Sequence, residues 1–213
     1  MERVLSLSEA EGREAAVKLC CRDGACRLTR PSLGTRLTPG HPEDCREDER
    51  AVALIHTHVP IPGVMSEHPA VIVREDLASA LLQYRVHRQR SWDGARYFCV
   101  LARERGSPAL RCVDPEDFYQ PAFDPVLDAM KSLYDRYHPL LHRLEREMRE
   151  YERLASEFAR LRDELGEWVD AKHRIPTERI GRLLAEGRER EALRLIYRHI
   201  REFERRRLYT RVF

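Results

Sequence analysis

Residues 51–82, AVALIHTHVPIPGVMSEHPAVIVREDLASALL, decide how this chain is read. AVALI is a continuous apolar run of strand length, the pattern of a strand buried on both faces. It ends in His56-Thr57-His58, after which Pro60, Pro62 and Pro69 exclude regular structure. From Arg74, REDLASALL reads as a helix with acids in its first turn. Side chains alternate along a strand, so His56 and His58 point to one side and Thr57 to the other. Two imidazoles placed this way can bind one metal, a common role of neutral histidine. The same pattern also serves as a pair of satisfied, buried structural histidines.

Working outward, EAAVKLCCRDGACRLTR (14–30) is a hairpin: Ala15, Val17, Leu19 and Cys21 alternate with more polar neighbours, and Asp23-Gly24 reverses the chain. ARYFCVLARERGSPALRCVDP (95–115) is a second hairpin about Arg105-Gly106. These folds set Cys21 opposite Cys26 and Cys99 opposite Cys112, where disulfides are one reading and small buried apolar residues the other. No CxxC is present, which disfavours a cysteine zinc site. Residues 1–12 read as a short lead-in and turn, and PSLGTRLTPGHPEDCREDER (31–50) as loop with a short helix.

Past Pro125, the residues Tyr137, Leu141, Leu144, Met148, Tyr151, Leu154, Phe158, Leu161, Leu165 and Trp168 recur at steps of three and four. That is close to a heptad repeat with one stammer. Pro176 starts a short helix, Gly187 ends it, and EREALRLIYRHIREFERRR forms another. Residues 123–213 are therefore expected to be a helical, coiled-coil hairpin arm behind a domain at 1–122. His138 and His142 share a helix face with no acidic companion and read as surface or seam residues. His41, His87, His173 and His199 stand among charged residues and carry no signal.

Lys+Arg 38 against Asp+Glu 36 is nearly balanced over 213 residues, which argues for neither a nucleic acid nor a membrane partner. No apolar run of membrane-spanning length and no signal segment stands out, so a soluble, cytoplasmic protein is expected. Asn is absent and Gln occurs three times, a depletion seen in hyperthermophile proteins. Only three of the 38 basic residues are Lys, which a high-GC coding bias explains equally well. A thermophilic source, in which intracellular disulfides are frequent, fits the six cysteines.

The order of Glu14, His56-Thr57-His58 and an acid-opened helix resembles the JAMM/MPN-type zinc metallopeptidases. Their motif is a Glu on an early strand, then His-Ser/Thr-His-Pro, then Ser-x-x-Asp opening a helix. The resemblance covers roughly residues 1–120. It implies an α+β fold: a mixed sheet with flanking helices, of the MPN, cytidine-deaminase-like kind. It also implies Zn2+ held by His56, His58 and Asp76, Glu14 as the proton carrier and Ser66 as an oxyanion donor. Departures are visible. Val59 intervenes before Pro60, Pro69 stands three residues after Ser66, and Asp76 is preceded by Val73 where the motif has Ser. Glu67 and His68 are alternative third ligands. The resemblance implies a peptidase or isopeptidase, with a ubiquitin-like conjugate as substrate. The competing expectation is a non-catalytic MPN-like scaffold that forms homo- or hetero-oligomers through its C-terminal helices.

Overall fold

The computed structural model describes residues 1–34, 40–89, 95–137 and 148–210. The fold is α+β, with a mixed sheet and, among the described residues, six α-helices. In chain order the elements are α1 (Glu2–Glu11), β1 (Ala15–Arg22), β2 (Ala25–Leu28), β3 (Ser32–Leu33), β4 (Arg50–Thr57), α2 (Arg74–Gln89), β5 (Tyr97–Glu104) and β6 (Ser107–Val113). They continue as α3 (Asp124–Tyr137), α4 (Met148–His173), α5 (Thr177–Ala185) and α6 (Glu189–Arg205). Strands run in the order β2-β1-β4-β5-β6, and β3 adds to β1. β4 sits centrally, antiparallel to β1 and parallel to β5. A parallel pair cannot be joined by a tight turn, and α2 lies in the crossover.

Both hairpins have the expected turns. Asp23 and Gly24, like Arg105 and Gly106, all have positive φ, the signature of a type I′ turn whose twist matches the strands. The register pairs Cys21 with Cys26 and Cys99 with Cys112, and both pairs are disulfides. A third disulfide, Cys20–Cys45, was not foreseen. It joins β1 to the loop before β4, beside the Lys18–Asp44 ion pair.

Residues 2–11, expected as a lead-in, are the helix α1, closed by Gly12 in the left-handed region. Val4 and Leu5 of α1 pack on Ala15, Val17, Leu19, Ala53, Ile55, Cys99 and Leu101. These are alternate strand residues, so α1 covers one sheet face and the intervening residues line the other.

The described residues pack as two compact units, Met1–Ile72 with Asp93–Asp117 and Pro176–Phe213, and Val73–Trp92 with Phe118–Ile175. This grouping does not follow the boundary expected at 122: α5 and α6 belong with the sheet, and α2 belongs with α3 and α4. In the sheet unit, α6 buries Ala192, Ile196, Ile200 and Phe203, and Thr210 bridges to Cys112 of β6. In the helical unit, Leu77, Leu81, Leu127, Met130, Leu154, Leu161, Leu165 and Val169 are buried. Toward the end of α4 the buried positions are Leu161, Leu165 and Val169, a four-residue spacing, while Trp168 of the heptad series is 43% exposed. The heptad positions Leu141 and Leu144, with His138 and His142, lie outside the described residues. Among those described, no helix is long and apolar enough to cross a membrane.

Candidate metal centre

β4 ends in the triplet His56-Thr57-His58, all three side chains buried. Thr57 faces α1. Its Oγ1 accepts from the Ala15 amide at 2.8 Å and lies 2.5 Å from Ser8 Oγ, which donates to the Arg13 carbonyl at 2.5 Å. This closed chain fixes residues 13–15, the segment that carries Glu14.

The histidines face the other way, and their Nε2 atoms lie 3.2 Å apart. The His58 amide donates to Leu101 O at 2.9 Å, extending the parallel ladder one residue past β4. His58 Nδ1 lies 3.3 Å from the Pro69 carbonyl. A carbonyl only accepts, so Nδ1 is the donor in this contact, and in the neutral ring that leaves the lone pair on Nε2. His56 rests on Phe98, ring centroids 5.1 Å apart, and His68 stacks on the far side of His58 at 4.1 Å. Such packing holds both rings without using their Nε2 atoms.

His56, His58 and Asp76 each offer a ligand atom, all within 4.8 Å of one another, and the group can hold a metal ion. Two tetrahedral ligands at about 2.0–2.1 Å from a metal stand about 3.3–3.4 Å apart. The 3.2 Å between the two imidazole nitrogens fits that bite. Asp76 Oδ2 accepts from the Val73 amide at 3.0 Å, the backward half of a capping box, which orients the carboxylate.

Glu14 is 5% exposed and immediately precedes β1. The β1–β4 ladder ends at the pair Ala16–His56, two residues short of Glu14. Directly opposed residues of an antiparallel pair share a face, so a ladder continued in this register would set Glu14 on the histidine face.

Ser66 is placed differently from its expected role. It is exposed, and both its amide and its hydroxyl donate to Glu189 Oε1, at 2.5 and 2.6 Å. Glu67 accepts from the Tyr197 hydroxyl and from the Arg105 amide. His68 directs Nδ1 to the Val59 carbonyl at 3.3 Å. Of the three candidates for third ligand, Asp76 is the one gathered with the histidines. Sequence reasoning missed the Pro69 carbonyl and the Ser8–Thr57 closure, because both depend on contacts between distant segments.

Compared with known protein families, curated proteins and solved structures, the chain matches none of them.

Proposed function

We propose that this chain is a zinc-dependent peptidase or isopeptidase of the JAMM type, with an MPN-like sheet presenting the metal. The observation that carries the reading is the gathering of an imidazole nitrogen of His56, one of His58 and an Asp76 oxygen within 4.8 Å of one another. Two imidazoles and one carboxylate are the donor set of a catalytic zinc, which keeps one coordination position open. A bound zinc supplies Lewis acidity, acidifying water and polarising the scissile carbonyl. Glu14, buried just before β1, accepts the proton of the attacking water and passes it to the departing amine nitrogen. The Pro69 carbonyl keeps the His58 proton on Nδ1, so that its Nε2 serves as ligand. A ubiquitin-like conjugate is the substrate class we favour, on the resemblance of Glu14, His-Thr-His and Asp76 to the family motif.

The test is paired. The wild-type chain is expected to carry about one zinc and to hydrolyse a ubiquitin-like fusion. Glu14→Gln is expected to keep the zinc and to lose on the order of 10²–10⁴-fold in rate. Full activity in Glu14→Gln rules out its role, and a zinc-free wild type rules out the metal reading altogether.

One observation favours a second reading, a non-catalytic scaffold that assembles through its helices. The Ser66 hydroxyl is engaged by Glu189, and Val73, at the helix opening, has no hydroxyl to offer. Zinc without turnover, in a chain that sediments as an oligomer, selects the scaffold.

A further inference from the structure

The loop that carries His58 into α2 is long and proline-rich, yet its far end is tied down in a specific way. Ala70 has both backbone polar groups taken by side chains. Its amide donates to Glu104 Oε1 at 2.9 Å, and its carbonyl accepts from Arg111 Nη1 at 3.2 Å. Glu104 and Arg111 are themselves joined by a two-pronged ion pair, one prong the contact to Oε1 and the other 3.2 Å to Oε2. They stand on the neighbouring strands β5 and β6, with side chains only 13% and 16% exposed. Glu204 at the end of α6 reaches Arg111 Nε at 3.5 Å, and the Tyr209 hydroxyl meets the Ile72 amide at 3.5 Å. The residue thus gripped follows Pro69, whose carbonyl faces His58 Nδ1 and belongs to the same peptide unit as the Ala70 amide.

We propose that Glu104 and Arg111 are positioning residues for the metal ligand His58. They act through Ala70 and the Pro69 carbonyl to hold the His58 ring with its Nε2 lone pair toward His56. The inference rests on the metal reading above and adds the part of the chain that sets the ligand. The physical reason is the order of the links. A planar guanidinium paired bidentately with a carboxylate is a rigid fork. Rigid β5 and β6 present that fork, and it grips the amide and the carbonyl of Ala70, which lie on the two peptide planes flanking its Cα. The Pro69 carbonyl shares its planar peptide unit with the Ala70 amide held by Glu104 and so has little freedom. Outer groups that orient a metal-bound histidine in this manner are worth about 10- to 100-fold in metal affinity.

The experiment uses the full chain and Co2+ as the probe metal, with affinity from chelator competition and coordination from the visible spectrum. Beside it, 15N-correlated NMR of the metal-free protein at alkaline pH reads the tautomer of His58. Arg111→Met and Glu104→Met are each expected to weaken Co2+ about 10- to 100-fold and to give His58 a mixture of tautomers. Glu104→Gln, whose amide oxygen can still accept from Ala70, is expected to restore most of the affinity. Arg103→Met is the control. Arg103 is also on β5, but its ion pairs go to Glu2 and Glu9 of α1, so its loss leaves Co2+ affinity unchanged. If Arg111→Met fails to fold, Arg111→Lys, which keeps one donor and loses the fork, is expected to give an intermediate loss. Wild-type affinity and a single Nδ1–H tautomer in the folded Arg111 variants would overturn the proposal. A wild type that binds neither Co2+ nor Zn2+ overturns the metal reading instead. The tautomer comparison in the metal-free protein still decides whether the clamp orients His58.

Discussion

Three consecutive residues at the end of β4 meet two different environments. On the α1 face, Thr57 belongs to a closed run of hydrogen bonds in which each donor finds an acceptor: Ala15 amide, Thr57, Ser8, Arg13 carbonyl. On the other face, two imidazoles bring nitrogens of the same kind to 3.2 Å. With His58 Nδ1 donating to Pro69, a proton on either Nε2 or a shared cation reconciles that pair. Closure marks a polar group kept for stability. Like atoms converging, with Asp76 within 4.8 Å of them, form a group that can hold a metal ion.

The first way to break this contrast is to remove the histidine face. His56→Ala with His58→Ala is expected to abolish zinc binding, measured as metal content after dialysis, while circular dichroism shows the fold retained. Added zinc should raise the Tm of the wild type and leave the variant unmoved, because only a native-state site couples metal to stability. A variant that still carries stoichiometric zinc shows the site to be elsewhere.

The same face is held differently from the α1 face. Lys18 and Cys20 alternate with the residues that meet α1, and they anchor residues 44 and 45 through an ion pair and a disulfide. A link with a sequence separation of 25 restrains the unfolded chain by about 3.5 kcal/mol, against about 2 kcal/mol for the separation of 5 at Cys21–Cys26. Cys20→Ala/Cys45→Ala should therefore lower unfolding free energy more than Cys21→Ala/Cys26→Ala, as denaturant titration under non-reducing conditions would show. Equal losses would mean that chain entropy is not what these links supply.

His199 sharpens the contrast from within one residue type. It is 5% exposed and lies edge-on to Phe203 at 4.1 Å. Burial pushes its pKa down to about 4, with Arg206 adding to the shift and Glu202 opposing it. In the unfolded chain the ring titrates near its ordinary value of about 6.5. Above that pH both states are neutral and the ring costs nothing. As pH falls from about 6.5 to about 4 the unfolded state takes up the proton first, so stability is lost, in total roughly 3 kcal/mol. Unfolding free energies of wild type and His199→Gln, compared between pH 7 and pH 4.5, should diverge in that sense. Parallel curves would refute it. This is a structural histidine; His56 and His58 differ from it in standing with Asp76 in a group that can hold a metal ion.

Much of this was readable in advance. The central strand, both hairpins and their cysteine pairs follow from local signals: an apolar run, two I′ turns, and symmetric spacing about each turn. The order His56, His58, Asp76 pointed to the candidate metal group because each sits near the start or end of a regular element. Other features were not legible. α1 buries only Val4, Leu5 and Ser8, too short a stripe to stand out as periodic. Cys45 lies in a loop with no symmetry to Cys20. Ser66 meets Glu189 across 123 residues, and Ala70 meets Glu104 across 34, contacts that no local pattern encodes. The grouping of α2 with α3 and α4 escaped for the same reason, since chain order does not dictate packing order.

The smallest expected effect tests the closed face by itself. Thr57→Val replaces a hydroxyl by a methyl of nearly the same shape, so packing against α1 is preserved. What it removes is the acceptor for the Ala15 amide and the partner of Ser8 Oγ, both in buried surroundings. Leaving such groups unsatisfied costs about 1–3 kcal/mol, which in a chain of this size lowers Tm by roughly 2–4 °C per kcal/mol. The histidine face is untouched by the change, so zinc content should stay at the wild-type level. If Glu14 depends on the closure for its place, the rate of hydrolysis falls while zinc stays bound. That outcome would tie the two faces together through residues 13–15. A Thr57→Val protein that loses zinc along with stability would show that the faces are not separable, and the contrast drawn from them would fail.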